Sequence, residues 1–68
     1  MNDLKSIGSN IAAIRKGKNL TQEDLSGIID IDRSYLSEIE NGHKNFSITV
    51  LLKIANALDV QPEAILKF

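Results

Sequence analysis

No cysteine occurs anywhere in the chain, and proline occurs once. Without cysteine there is no disulfide staple, no thiolate metal site and no thiol nucleophile, and an intracellular setting is the default. No apolar run approaches the roughly 20 residues that span a bilayer. The opening MNDLKSIGSN has no basic segment followed by an apolar one, so it does not read as a secretory leader. The cytoplasm is therefore the expected compartment, and no membrane is expected among the partners. Repeats, low-complexity tracts and linkers are missing too, as is the period-two alternation of strands. At 68 residues the chain is expected to form one domain, residues 1–68. Folding at this length buries only about 60% of the unfolded surface, which allows one modest core and no second catalytic or ligand-sensing unit.

An excess of charge of one sign is also lacking. The formal charge is −1, but it is spread unevenly. Residues 1–20 carry four bases and one acid, residues 21–42 one base and six acids, and residues 43–68 three bases and two acids. A uniformly basic coat is thus absent, and any role on nucleic acid must rest on a local patch.

What is present is helical periodicity. Leu4, Ile7, Ile11 and Ile14 share one face of a first helix, expected over Leu4–Lys16, with Gly17 as the left-handed residue that closes it. Arg15 falls on that apolar face, about 20° from Leu4. A guanidinium at the border of a core requires a carboxylate partner. TQED opens a second helix: Thr21 caps it, and two acids occupy the first turn, where the helix dipole favours them. Asp24 stands where a capping box has Glu or Gln, so the box reads as imperfect. Leu25 and Ile28 are expected to face inward, and Gly27 weakens this short helix by about 1 kcal/mol relative to alanine.

After the turn Ile29-Asp30-Ile31, Asp32 caps a third helix that runs to about Asn41 and ends at Gly42. Asn-Gly can also mark a β-hairpin, but here it follows a helical pattern. Ser47 caps a fourth helix that runs to about Leu58, with Ile48, Leu51, Leu52, Ala55 and Leu58 as its expected inner face. Val50, Ile54 and Ala57 widen the apolar arc past half the circumference, more than one neighbouring surface needs. Pro62 suits the first position of a fifth helix, which uses Ala64, Ile65 and Phe68. Five short helices with short connections make a compact all-α domain.

The third helix, within DRSYLSEIENG, is the informative one. With Leu36 and Ile39 turned inward, Ser37, Asn41, Ser34 and Glu38 fall between about 100° and 200° from Leu36, and Arg33 flanks them. Two short helices joined by a tight turn make a helix-turn-helix, whose second helix can enter the major groove of DNA. That groove is about 12 Å wide; Arg can bond guanine O6 and N7 together, Ser can meet several base edges, and Glu can accept from cytosine N4. A purely structural surface helix would more often alternate Lys with Glu, although a solvated face remains the plain alternative.

The run TQEDLSGIIDIDRSYLSEIENG resembles the helix-turn-helix of the Cro/phage-repressor (XRE) family. The resemblance continues through RKGKNLTQEDL before it and LLKIANALDVQPEAIL after it, covering nearly the whole chain. It implies an all-α, five-helix, lambda-repressor-like DNA-binding domain. Within the family, the bare domain with DRSYLSEIE and KNFS resembles the controller proteins of restriction–modification operons. Carried over by matching position, Arg33, Ser34, Ser37 and Glu38 are base-facing. Gln22 meets a phosphate and braces the recognition helix. Tyr35 packs its ring at the edge of the core and extends its hydroxyl to phosphate. Asn41, His43, Lys44 and Asn45 grip phosphate beside the loop that follows. Arg15 and Glu40 match an internal ion pair, in agreement with the lone guanidinium on an apolar face.

Four positions depart from the pattern. Asp30 stands where many relatives have glycine, and aspartate tolerates the left-handed conformation better than most residues. Ser26 replaces a common alanine and is small enough. Gly27 has no rationale in the family pattern. Glu38 places negative charge on the reading face, where it disfavours loose binding to phosphate.

Other readings are plainer. His43 alone makes no metal site, and no cofactor is expected. Lys16 and Lys18 read as solubilising charges or as distant attraction for phosphate. Asp30/Asp32 and Glu38/Glu40 look like paired catalytic carboxylates, but residues two apart on a helix do not face each other, so no enzyme activity is expected. Proteins of this kind bind as twofold dimers with recognition helices about 34 Å apart. Val50, Ile54, Ala57, Ile65 and Phe68 are the expected homodimer interface. Occupancy of an operator would repress by covering a promoter, or activate by contacting RNA polymerase beside it. The alternative from a different class is an antitoxin-like or antagonist module that uses the same fold to bind another protein.

Overall fold

Three helix starts are set by a side-chain oxygen that accepts from the helix's own first turn. The Thr21 hydroxyl accepts from Asp24 N, Asp32 from Ser34 N, and the Ser47 hydroxyl from Val50 N. The structure, a computed structural model, describes residues 3–67. Its helices are α1 (Asp3–Gly17), α2 (Gln22–Ile29), α3 (Arg33–Glu40), α4 (Ile48–Ala57) and α5 (Pro62–Ile65). Among the described residues there is no strand, and no helix is long and apolar enough to cross a membrane.

The capping box of α2 is complete, contrary to the expectation that aspartate would leave it imperfect. Thr21 N donates to Asp24 Oδ2 at 2.9 Å, and Asp24 N donates to Thr21 Oγ1 at 3.0 Å. The shorter acid reaches because the extended Thr21 brings its own N–H over the first turn.

The ends of α1 to α4 follow one pattern. Asn19, Asp30, Gly42 and Asp59 are left-handed, and after each of them an N–H reaches back five residues to a carbonyl. These are Leu20 to Arg15, Ile31 to Ser26, His43 to Glu38 and Val60 to Ala55, bonds that satisfy otherwise orphaned carbonyls. Gly17 is the last residue of α1 rather than its left-handed terminator; Asn19 takes that role two residues later. Asparagine tolerates this conformation through its short polar side chain.

The core gathers Ile11 from α1, Leu25 and Ile29 from α2, Leu36 and Ile39 from α3, Leu51, Ile54, Ala55 and Leu58 from α4 and its cap, and Ile65 from α5. α1 packs on α3 and α5, α2 packs on α3 and α4, and α4 packs on α5. Two helices are rotated from their expected orientation. In α2, Ile29 is buried while Ile28 is 59% exposed. In α4, Ile54 is wholly buried while Ile48 and Leu52 are 69% and 50% exposed. Each of these helices packs on two neighbours, α2 on α3 and α4, and α4 on α2 and α5, and those neighbours select the face that is buried.

Ile54 and Ile65 therefore have no surface to give a partner chain, and they leave the expected dimer interface. Val50 and Ala57 are half-buried against the core. Phe68 lies outside the described residues.

Candidate nucleic-acid interface

α3 is only eight residues long, and its two sides have separate tasks. Leu36 and Ile39 are fully buried and fix its position. Arg33, Ser34 and Glu38 are exposed, and Ser37 is half-buried. These are the base-facing positions expected from sequence, and they lie on the outward side of one short helix. The turn before α3 works without glycine: Asp30 is left-handed, and its N–H donates to Ser26 O. Ser26 itself is buried and donates its hydroxyl to Glu23 O at 3.1 Å.

Beyond α3, Asn41, His43, Lys44 and Asn45 are all exposed. Gly42 holds the bend with φ +77°, and a Cβ there would lie 2.6 Å from Lys5 Cα. The first turn of α1 thus abuts this loop, a juxtaposition that residues 37 apart in sequence do not announce. The Tyr35 hydroxyl donates to the Asn45 carbonyl at 3.3 Å. Its hydrogen steadies the loop, while its oxygen can still accept.

Behind the outward face of α3 lies a polar network. Arg15 Nε donates to Glu40 Oε2 at 2.7 Å, and Arg15 Nη2 to Glu40 Oε1 at 3.0 Å. Arg15 Nη1 donates to the Leu20 carbonyl at 2.7 Å. Both residues of this ion pair are buried. A forked, two-bond pair in which all three guanidinium nitrogens have a partner is the geometry that offsets the desolvation of two charges. Gln22 Nε2 donates to Glu40 Oε1 at 2.9 Å, and Arg33 Nη1 donates to Gln22 Oε1 at 3.3 Å. Gln22 thus touches the first residue of α3, and its second amide hydrogen remains for another acceptor.

Gly8, which the sequence did not single out, makes this arrangement fit. A Cβ at Gly8 would sit 2.2 Å from the Ile39 carbonyl oxygen and 2.6 Å from that of Glu40. α1 and α3 approach backbone to backbone there, and Glu40 is one of the residues they trap. The only foreshadowing is a glycine inside an otherwise regular helical pattern, which marks a packing reason without naming the partner.

At the start of α2, the Asp24 carboxyl is held below its ordinary value of 3.8 by the Thr21 backbone N–H and then by the Thr21 hydroxyl. No group of three or more His, Asp or Glu side chains among the described residues is placed to hold a metal ion.

α2, the turn through Asp30 and Ile31, and α3 make a helix-turn-helix unit. Residues 11–65 match the model of the helix-turn-helix family, and the chain belongs to that family. It is 44% identical over 62 residues to control protein C.MunI from Mycoplasma sp., across 88% of this chain and 84% of that protein. The crystal structure of the restriction–modification controller protein C.AhdI from Aeromonas hydrophila matches with a TM-score of 0.91 and 37% identity. That match covers 96% of this chain and 98% of the other. The controller protein C.Esp1396I, crystallised as a tetramer with its natural 35-base-pair operator, matches at a TM-score of 0.79 and 35% identity, over 94% and 95% of the two chains.

Proposed function

We propose that the chain is a sequence-specific, double-stranded-DNA-binding transcriptional regulator of the restriction–modification controller type, acting as a homodimer on a twofold operator. One observation carries the reading. A short helix is anchored by Leu36 and Ile39, and it leaves Arg33, Ser34 and Glu38 in solvent beside an exposed loop bearing Asn41, His43, Lys44 and Asn45. In the major groove Arg33 bonds guanine, the serines meet base edges, and Glu38 accepts from cytosine N4. The loop and Gln22 set register through phosphate contacts, which position the helix but carry no sequence information. The operator assembly of C.Esp1396I supports this reading.

The homodimer surface is revised to Ile48 and Leu52, exposed apolar residues one turn apart on α4. Leu52 borders a groove of about 400 Å³ that it shares with Val60 and Pro62. A twofold dimer doubles the length of DNA read, and it makes binding depend on protein concentration. That suits a feedback switch. Occupancy over a promoter represses, and occupancy beside one activates through contact with RNA polymerase. The protein works in the cytoplasm and catalyses nothing.

Selection of duplexes from a random library by the purified chain tests the reading. The expected result is an enriched site with two inverted half-sites. No enrichment would overturn it, and co-purification of a stoichiometric protein partner in that case would favour the protein-interaction alternative.

A further inference from the structure

We infer that Asn41 and Gly42 form a self-modifying site. When the end of α3 opens, the Gly42 nitrogen converts the Asn41 amide to a carboxylate, and the product loses its grip on DNA. The chemical half stands on the fold alone; the DNA half rests on the proposed function.

Of the six asparagines in the chain, only Asn41 precedes glycine. The following residue matters because its backbone nitrogen is the nucleophile, and a side chain there hinders the approach. The fold demands glycine at this place. Gly42 has φ +77°, and a Cβ on it would lie 2.6 Å from Lys5 Cα and 2.9 Å from Lys5 N. The reactive pair is therefore built into the turn. Water reaches it, because Asn41 is exposed.

The reaction balances with water alone. Gly42 N gives its proton to solvent and bonds to Asn41 Cγ; the Cγ–Nδ2 bond breaks and ammonia leaves. Water then opens the cyclic imide at either carbonyl. One opening gives aspartate. The other gives isoaspartate, whose backbone runs through Cβ and Cγ. Either product carries one more negative charge than asparagine.

The closed turn opposes the first step. Gly42 N–H is donated to Ile39 O at 3.0 Å, and His43 N–H to Glu38 O at 2.9 Å. Turning the Gly42 nitrogen toward Cγ gives up both bonds. Reaction thus follows local opening, which needs little free energy at frayed ends and loops.

The product does not restore the closed state. α3 has no basic residue in its last turn, and a carboxylate at that end opposes the helix dipole. Glu38 is exposed three residues back on the same face. Isoaspartate also lengthens the backbone by one carbon between the partners of the His43–Glu38 bond. In the loop assigned to phosphate, a carboxylate repels what an amide can donate to. The free chain therefore ages toward a form that does not bind, and the bound chain, its loop pinned against phosphate, is spared.

The test holds the full chain in warm neutral buffer, with and without unfolding urea, and maps its peptides by mass and by enzymatic methylation of isoaspartate. Asn41 should convert well before the other asparagines, and at least about tenfold faster in urea than in the folded chain. An excess of a duplex that the chain selects from a random library should slow it further. Aged protein should bind that duplex at least about tenfold more weakly than fresh protein, from a carboxylate near phosphate in each of two protomers. Asn41→Asp should show this weakness when fresh. Asn41→Gln should bind equally before and after ageing, whatever its starting affinity.

An Asn41 that persists as long as the other asparagines, or converts as fast folded as unfolded, overturns the inference. Aged, converted protein that binds like fresh protein overturns the loss of grip while the DNA-reading role stands. A library with no enriched duplex overturns the DNA half together with the proposed function, and the mass maps still decide the chemical half.

Discussion

Gly8 and Gly27 offer one chemical change with two opposite outcomes. Replacing Gly8 by alanine puts a methyl group 2.2 Å from Ile39 O, 2.6 Å from Glu40 O and 2.9 Å from Glu40 C. Ordinary contact begins near 3.4 Å, and all three neighbours are backbone, so no side chain can swing aside. α1 and the end of α3 must separate by about 1 Å, and overpacking of this kind is unfavourable by about 1–3 kcal/mol. The intrinsic preference of alanine for helix, about 1 kcal/mol, works in the other direction. The two figures leave a net loss of up to about 2 kcal/mol, and contacts this far inside ordinary distance put Gly8 at the upper end.

A domain of this length has about 3–10 kcal/mol of stability in all, so the loss is a large share of it. At Gly27 the same methyl group meets nothing within 4 Å and points into solvent from α2. Only the helix preference operates there, and Gly27→Ala should stabilise by about 0.5–1 kcal/mol. Urea or thermal unfolding followed by helical circular dichroism reads both. Each kcal/mol moves the midpoint by about 4–8 °C in a domain of this size. Protein concentration must be held fixed, because dimerisation shifts apparent stability. If Gly8→Ala unfolds at or above the wild-type midpoint, the close approach of α1 to α3 is wrong.

Further outcomes follow from the same geometry. Glu40→Ala leaves Arg15 buried without its counter-charge and should destabilise by about 3–5 kcal/mol in urea titration; a change below about 1 kcal/mol would contradict the buried pair. Lys44→Ala should weaken binding to all duplexes alike and make the dependence of log K on log salt shallower by about 0.9 per protomer, and an unchanged slope would remove Lys44 from the phosphate contacts. Because the folded Asp24 carboxyl titrates below 3.8, its contribution to stability is complete above the ordinary carboxyl range and is lost as pH falls through the lower folded value. Asp24→Asn should therefore flatten the acid limb of a stability–pH profile, and a limb identical to wild type would contradict the capping interaction. Leu52→Glu should move the monomer–dimer equilibrium toward monomer in sedimentation while leaving helicity intact; an unaltered equilibrium would place the dimer surface elsewhere.

What the sequence made legible was local. Thr21, Asp32 and Ser47 announced their helices because a capping oxygen acts within three residues of its partner. The αL role of Asp30 followed from the resemblance, which puts glycine at that position in many relatives. The Arg15–Glu40 pair was foreshadowed from one side by a charge on an apolar face, and the resemblance supplied its partner.

What was not legible was set by neighbours far along the chain. In α2 a single turn separates Leu25 from Ile28 and Ile29, and either isoleucine completes an apolar stripe. The packing of α2 on α3 and α4 selected Ile29. In α4 the apolar arc was too wide to show its own centre, so Ile48 and Leu52 were placed inside and Ile54 outside, the reverse of their burial. Gly8 was silent because its reason is a carbonyl about 30 residues away. Glu40 holds both Arg15 and Gln22, so the network needs α1, α2 and α3 to meet, which no periodicity records.

A crystal structure of the chain on its selected duplex tests the central claim most directly. The expected complex has α3 in the major groove, the Arg33 guanidinium within hydrogen-bonding distance of guanine O6 and N7, and a second protomer one helical turn away. A complex in which α3 is turned from the bases, or lies covered by another protein surface, would contradict it.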